Sequence, residues 1–526
     1  MAIEKESIRT LDELNTKMHN DTEAYVHSRT LAVTSSHLIL PHGIKFPFSV
    51  TYDLKDLLLI GAITESPILM TGGTDTGKTT LAKLVMNSLL GSEEQGWHKL
   101  DFDTDFGRDS VSDVSSDFFQ KEGMTLSDFY RAQPWLSLPG FIADELNRTH
   151  AKQSAKALHI IGEEKEITLP NGQRVKIGMQ LPDGTTYQFQ IATINEGKDY
   201  SGTFDIDKAL RRRTTIEIPM DVFSLTARDE KILRERDGKP ILLPETVSQL
   251  ETILSYRKVL QDINLHPLAD LYNAYIESFD YCKHSFTGDK DAVAKKQGSI
   301  RHVCAKPMQI GNTEIQEGIG CEYLVAFKHE MCPYVSGLTP GISGNLRKVA
   351  KGFTLLRATK FVEFLSAYVT GDAGRFTPEP GLVETALQDY TETPLTGRPL
   401  AKKALAKYVD NLEVLQEDFE SAFVFVAYSK IGISPLWIEK HYQGSIYGAV
   451  QAFSNEVSGK FKDGLAAPAS QEILVDLLNG TKGREDAAEF AAYCEKENPW
   501  LLRAVAPYMD HREEKSTQDI KDDLYT

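Results

Sequence analysis

Three features of the chain predict an α/β fold with a parallel sheet between helices, followed by a helical segment and a mainly α C-terminal region. A short apolar strand runs into a glycine-rich turn and then a helix over residues 67–90. Two more apolar strands end in polar side chains, one at Asp144 and Glu145 and the other at Asn195. From about residue 223 the apolar pattern becomes helical.

The first element is SPILMTGGTDTGKTTLAKLVMNSLLG. Pro67 to Thr71 read as a buried strand, and Leu81, Leu84, Val85 and Leu89 recur at helical spacing. Between them Gly72, then four residues, then Gly77, Lys78 and Thr79 have the spacing of a phosphate-binding loop. Glycines let successive amides turn toward phosphate, and the helix N-terminus adds partial positive charge. Lys78 is placed to reach the terminal phosphates and Thr79 to hold magnesium. The whole run Gly72, Gly73, Thr74, Asp75, Thr76, Gly77, Lys78, Thr79 and Thr80 is thus the expected cofactor-binding loop of a P-loop NTPase core.

A second strand is expected at HKLDF. The next, Gly140 to Ala143, ends in Asp144 and Glu145, where the first acid would position magnesium and the second polarise the attacking water. The strand Gln188 to Ile194 delivers Asn195, whose amide can hydrogen-bond a water or the terminal phosphate. Arg211, Arg212 and Arg213 then precede another apolar strand. Between these elements, alternating residues around Asn171-Gly172 and Asp183-Gly184 read as consecutive hairpins with tight turns.

Composition narrows the function classes. The 526 residues suffice for two or three domains, and 41% hydrophobic with 25% charged residues is an ordinary globular mixture. A net charge of -17 argues against a nucleic-acid footprint over the whole surface. The N-terminus has no apolar core of a secretory signal, and no apolar run of about 18 residues could cross a bilayer. A cytoplasmic protein with no membrane partner is expected. Five cysteines, an odd number, suit a reducing compartment.

Together these elements resemble the AAA+ ATPases, and within them the MoxR and midasin/dynein-related clade, over roughly residues 50 to 220. FIADELNRTHAKQSAKALHIIGEE is similar to that clade's acid strand and following helix, and ATINEGKDYSGTFDIDKALRRRTTIEIP to its Asn-bearing strand and closing arginine turn. The resemblance implies that Lys78 and Thr79 belong to Walker A, Asp144 and Glu145 to Walker B, and that Asn195 is sensor 1. It implies an arginine finger serving a neighbouring subunit: Arg213 if the midasin-like pattern is followed, Arg212 on a MoxR-like alignment, where Thr214 replaces the usual aromatic. Where many members carry Pro-Pro-Gly-Thr, this loop has Gly-Thr-Asp-Thr, with the acidic Asp75 beside the phosphates. Hairpins at this place in the clade project toward a ring centre, which makes Gln173, Arg174 and Lys176 candidates for substrate contact; a plain connecting hairpin is the other reading.

The stretch GISGNLRKVAKGFTLLRATKFVEFLSAYVTG looks like the family's helical lid, with Arg347 as a sensor 2 candidate or an ordinary surface arginine. Cys282, Cys304, Cys321 and Cys332, with His284, His302 and His329 nearby, suggest a structural Zn2+ site; lacking a Cys-x-x-Cys knuckle, they read equally as buried core cysteines. The expected domains are an N-terminal extension over 1–50, the core over 51–222 with a hairpin insertion at about 166–188, a lid over 223–372 with a cysteine-containing insertion at about 280–335, and a helical region over 373–526.

By resemblance the chain is a ring-forming, hexameric, Mg2+-dependent ATPase that uses ATP to remodel a protein client as a MoxR-like chaperone, with a von Willebrand A domain protein as partner. The alternatives are a McrB-like nucleic-acid motor and a non-hydrolysing nucleotide-gated scaffold.

Overall fold

The computed structural model describes residues 5–23, 25, 38–40, 44–46, 50–74, 76–102, 110–114, 130–148, 160–162, 165–196, 208–223, 226–235, 241, 243, 246–278, 308–310, 313–315, 335–336, 340–372, 382–428, 430–433, 435–465, 501 and 504–505. The cysteine-containing insertion, with Cys282, Cys304, Cys321 and Cys332, lies outside the described side chains, as does Asp75. Among the described residues no helix is long and apolar enough to cross a membrane. The chain divides into one unit of residues 1–264 and 348–413 and a second of 265–347 and 414–526.

The first unit is built on a five-stranded parallel sheet. Its strands are β1 (Ile68–Thr71), β2 (Trp97–Asp101), β3 (Gly140–Asp144), β8 (Phe189–Thr193) and β9 (Ile216–Pro219). They lie in the order β9-β1-β8-β3-β2. The four strands from β9 to β3 are buried at every position, which is why their sequences are mainly apolar, with buried polar members Gln190, Thr193 and Glu217 each hydrogen-bonded. Each expected strand is present, with its ends shifted by at most one residue. The α/β class is therefore the observed one.

Helix α2 (Leu54–Ile63) precedes β1, and α3 (Lys78–Leu90) follows it after the glycine turn. Leu81, Leu84, Val85 and Leu89 are all buried, as their spacing requires. A second apolar layer gathers Leu69, Phe141, Ala192 and Ile194 from the sheet with Trp135, Leu136, Ile160 and Ile167. The inserted hairpins pair β4 (Glu166–Thr168) with β5 (Arg174–Lys176), and β6 (Met179–Gln180) with β7 (Thr186–Tyr187). Gly172 and Gly184 take positive φ at the two turns, in the places the sequence assigns them.

The N-terminal residues are part of this unit. Helix α1 (Lys5–Asp21) buries Ile8, Leu11, Leu14 and Met18 and packs on α2 and α3. Ser88 Oγ of α3 donates to Asp21 Oδ2 at 2.6 Å. Helix α4 (Lys208–Arg213) precedes β9, and α5 (Ala227–Glu235), α6 (Leu250–Asp262) and α7 (Pro267–Ser278) follow it. Helix α8 (Pro340–Thr370) fills the expected lid stretch. In its first-unit portion Arg357 is buried, bonding the Tyr408 hydroxyl and, at 2.8 Å, the Glu413 carbonyl.

Within the expected helical region, the stretch over residues 400–431 is not one helix but two. Helix α9 (Val383–Thr391) is followed by α10 (Gly397–Asp410), which stops at Asn411; α11 restarts at Gln416–Ala427 after the short strand Glu413–Val414. The restart is capped by Asp418, whose carboxylate accepts from the Leu415 amide at 2.9 Å. Within the second unit, Tyr272 of α7 packs its ring against Phe419 of α11 and Phe461, which lies in Ile446–Leu465, at 6.5 and 5.1 Å.

Gly140 opens the strand that carries the acid pair, and a Cβ there would lie 2.5 Å from Leu90 Cδ1 and 2.6 Å from Trp97 Cβ. Gly140→Ala should cost about 1–3 kcal/mol through overpacking, read as a lower urea midpoint at unchanged slope. In the second unit, burial and the charge of Glu420 push Glu417 up to about 7 from 4.5. The folded state then holds this proton more tightly than the unfolded chain, so stability falls as pH rises from the ordinary carboxylate range to about 7 and is level above. Urea midpoints across that window should decline in the native chain and decline less in Glu417→Gln.

Candidate functional site

The turn between β1 and α3 closes because two glycines accept positive φ. Gly72 has φ 143° and Gly77, which caps α3, has φ 77°. Gly77 is also crowded, since a Cβ there would meet the Tyr25 ring at 2.8 Å. Tyr25 reaches the loop from just beyond α1 and donates its hydroxyl to the Thr76 carbonyl at 3.1 Å. Burial raises its pKa, which keeps that hydroxyl protonated and donating. On the other flank the Gly73 amide donates to Asp221 Oδ1 at 3.4 Å.

Lys78 is buried, and its Nζ donates to the Gly72 carbonyl at 3.0 Å, to Thr76 Oγ1 at 3.1 Å and to the Gly73 carbonyl. The ammonium is thus folded over the loop whose amides it accompanies. Thr74 is exposed; Thr79 and Thr80 are half-buried in the first turn of α3.

The parallel register brings the acids to this loop. Residue 143 of β3 lies opposite residue 192 of β8, so Asp144 and Thr193 leave the sheet side by side. Asp144 Oδ1 accepts from Thr79 Oγ1 at 2.7 Å and from Thr193 Oγ1 at 2.6 Å. Its second oxygen faces Lys99 Nζ at 3.4 Å. Burial pulls the Lys99 pKa down, but its bond to Asp101 and the charge of Asp144 raise it overall, so the ammonium stays charged.

Glu145 stands at φ 55°, a left-handed conformation that turns the chain out of β3. Its amide donates to Thr193 Oγ1 at 3.0 Å. Its carboxylate accepts from Asn195 Nδ2 at 3.4 Å and pairs with Arg148 Nη1 at 2.8 Å. Asn195 is fixed in turn by Asn147, whose Nδ2 donates to the Asn195 carbonyl at 2.7 Å. Thr79, Asp144, Thr193, Glu145 and Asn195 therefore form one hydrogen-bonded group at the C-terminal ends of β1, β3 and β8, while Lys78, next to Thr79 in sequence, bonds the loop itself.

The donor set fits a magnesium ion and a polyphosphate. A hydroxyl and a carboxylate oxygen converge at 2.7 Å on the mouth of a glycine cradle, and magnesium prefers such hard oxygen ligands.

The three consecutive arginines take different places. Arg211 pairs with buried Glu217 at 2.7 Å and with Glu196, so it is committed inside the chain. Arg212 is exposed, and Arg213 is half-buried with its Cβ 3.0 Å from the Cβ position of Gly162. Arg347 belongs to the second unit, where it bonds Asp270 at 2.5 Å on the surface. Gln173, Arg174 and Lys176 stand on the inserted hairpins, with Arg174 Nη1 3.5 Å from Glu166 and Lys176 Nζ donating to the Gly184 carbonyl at 3.3 Å.

Sequence reasoning missed Thr193, Lys99, Asn147, Arg148 and Tyr25. Thr193 sits one position from an expected strand end, so pairing the strands in parallel would have aligned it with Asp144; Lys99 pairs with Ile142, and only the length of its side chain brings its ammonium to Asp144. Tyr25 carries no such signal.

No protein-family model matches the chain, and no curated protein matches it. Among solved structures, a candidate ATPase from Cytophaga hutchinsonii is similar at 13% identity and a TM-score of 0.47, covering 85% of this chain and 96% of its own. NtrX from Brucella abortus, solved with ADP, is similar at 15% identity and a TM-score of 0.23, covering 42% of this chain and 43% of its own.

Thr193→Val keeps the side-chain shape but takes a donor from Asp144 and the acceptor from the Glu145 amide. A loss of about 1–3 kcal/mol in unfolding free energy is expected, and an unchanged urea midpoint would contradict the bridging role.

Proposed function

We propose that the chain is a Mg2+-dependent AAA+ ATPase that works as a ring and spends ATP hydrolysis on remodelling a protein client. The observation that carries this reading is the meeting of the Thr79 hydroxyl and the Asp144 carboxylate at 2.7 Å beside a glycine loop, with Glu145 and Asn195 joined to the same group.

On this reading the amides of residues 72–79 and the Lys78 ammonium bind the phosphate chain, while Thr79 and Asp144 hold the magnesium ion. The ion supplies neutralisation of charge on the terminal phosphates. Glu145 orients a water and accepts its proton as the water oxygen bonds the terminal phosphorus and the bond to the leaving ADP oxygen breaks. Asn195 and Arg148 hold the Glu145 carboxylate, so their bonds must loosen or rotate for it to face the water. Asn195 thereby couples the acid to the neighbouring strand.

Arg211 is committed to Glu217 and Glu196, and the resemblance carries the finger toward a neighbouring copy to Arg213 or Arg212. Such an arginine contributes on the order of a thousandfold or more in rate. The resemblance further suggests a hexamer, a von Willebrand A domain partner and client contact through the exposed hairpin residues Gln173, Arg174 and Lys176.

Glu145→Gln should keep nucleotide binding and lower turnover by about 10²-fold or more, while Lys78→Ala should lose binding, both read by steady-state phosphate release and nucleotide titration. Mixing Lys78→Ala chains with Arg212→Ala or Arg213→Ala chains should restore part of the activity. Full turnover in Glu145→Gln would refute the acid assignment. A monomer whose specific activity is independent of protein concentration would refute the shared site.

A further inference from the structure

A second constellation of ligating atoms stands apart from the phosphate loop, where the end of α1 meets the start of α2. His19, in the last turn of α1, places Nδ1 2.9 Å from the Asn15 carbonyl. A carbonyl only accepts, so Nδ1 carries the hydrogen and the neutral ring turns its Nε2 lone pair the other way. That lone pair faces Asp53 Oδ2 at 2.9 Å and Asp56 Oδ1 at 3.9 Å.

Both acids have their other oxygen engaged. The Asp56 amide donates to Asp53 Oδ1 at 2.9 Å and the Asp53 amide to Asp56 Oδ2 at 2.9 Å, the reciprocal cap of α2. Lys360 Nζ stands 3.7 Å from that same Asp56 Oδ2. Asp56 Oδ1 is left with no hydrogen-bond partner, in a residue 1% exposed. His19 Nε2, an oxygen of Asp53 and an oxygen of Asp56 all lie within 4.8 Å of one another. Each of the three side chains is thus fastened by an outer partner on one atom and turns the other to a common point, the arrangement that outer partners impose on metal ligands.

With the ring neutral, two lone pairs would face each other at that point beside a buried bare oxygen, so the cluster calls for positive charge there, either a proton on Nε2 or a cation. A proton on Nε2 answers Asp53 but leaves Asp56 Oδ1 3.9 Å away and unbonded. One cation answers all three. The N-terminus of α2, Lys360 and Lys55 oppose a cation, but Lys360 stands on the outer Asp56 oxygen, Lys55 donates to the His19 and Thr22 carbonyls, and the acids Asp12 and Glu363 face Lys360.

We propose that His19 Nε2, Asp53 Oδ2 and Asp56 Oδ1 bind one zinc-class divalent cation that clamps α1 to α2. An imidazole with two carboxylates is a zinc ligand set, and the partly open His19 and Asp53 leave room for water to complete four-coordination. The clamp fixes the end of α1, four residues before Tyr25 reaches the Thr76 carbonyl, so it anchors the segment that flanks the phosphate loop. It does not depend on what that loop binds.

The test uses the full chain, stripped with chelator and free of nucleotide, titrated with Zn2+ by calorimetry and thermal unfolding, and with Co2+ as the spectroscopic probe. One equivalent should bind at these ligands, raise the unfolding midpoint and give Co2+ absorption without thiolate charge transfer, which separates it from binding at Cys282, Cys304, Cys321 or Cys332. His19→Gln and Asp53→Asn, the latter keeping a helix-capping oxygen, should each weaken this binding by about tenfold or more while circular dichroism stays native. Zn2+ binding unchanged in both variants, a thiolate band as the sole Co2+ signal, or no Zn2+-dependent shift would each overturn the proposal. In the last case, a midpoint that falls as pH rises through the imidazole range, and does so no longer in His19→Gln, would assign the cluster to an imidazolium clamp instead.

Discussion

Asp144 is a buried carboxylate that must find donors at the edge of a parallel sheet, and it finds two hydroxyls on different elements. Thr79 comes from the helix after the glycine turn and Thr193 from the neighbouring strand. An ionised group this far from water is expensive unless it is fully bonded, so the loop, the acid strand and the Asn195 strand are held in one register by one side chain. Thr193 then passes the constraint on, because its oxygen also receives the Glu145 amide.

That amide bond accompanies the reversal of the chain at Glu145. The left-handed backbone lets two adjacent acids face different neighbours: Asp144 toward Thr79 and Lys99, Glu145 toward Asn195 and Arg148. Two like charges next to each other in sequence are thereby separated into two hydrogen-bonded environments. Around them the first unit recruits a segment from outside the sheet. Helix α1 covers α2 and α3, and Tyr25 closes on the loop carbonyl at Thr76 over a glycine whose missing side chain makes space for the ring.

The five sheet strands, the glycine turn, helix α3 and both hairpins were legible in the sequence because each is specified by neighbours a few residues apart. A buried parallel strand is mainly apolar, a helix repeats its apolar face every three to four residues, and Asn-Gly and Asp-Gly admit the tight turns observed at Gly172 and Gly184. Residues Lys78, Thr79, Asp144, Glu145 and Asn195 could be named for the same reason, as they follow strand ends at short range. The break after Asp410 was not legible, since the apolar pattern runs on into the next helix and only the Leu415 to Asp418 cap marks the restart.

What the sequence determined by itself is the set of local elements and the chemical groups at their ends. Only the tertiary structure decided which groups meet: Thr193 on Asp144, Glu217 taking Arg211 out of the trio of arginines, His19 opposite Asp53 and Asp56, and Tyr25 on the phosphate loop. These pairs span from 6 to 51 residues, and most depend on how strands register or helices pack. Periodicity and turn chemistry act within an element, whereas a contact between elements is selected by burial and by the need of each buried polar group for a partner.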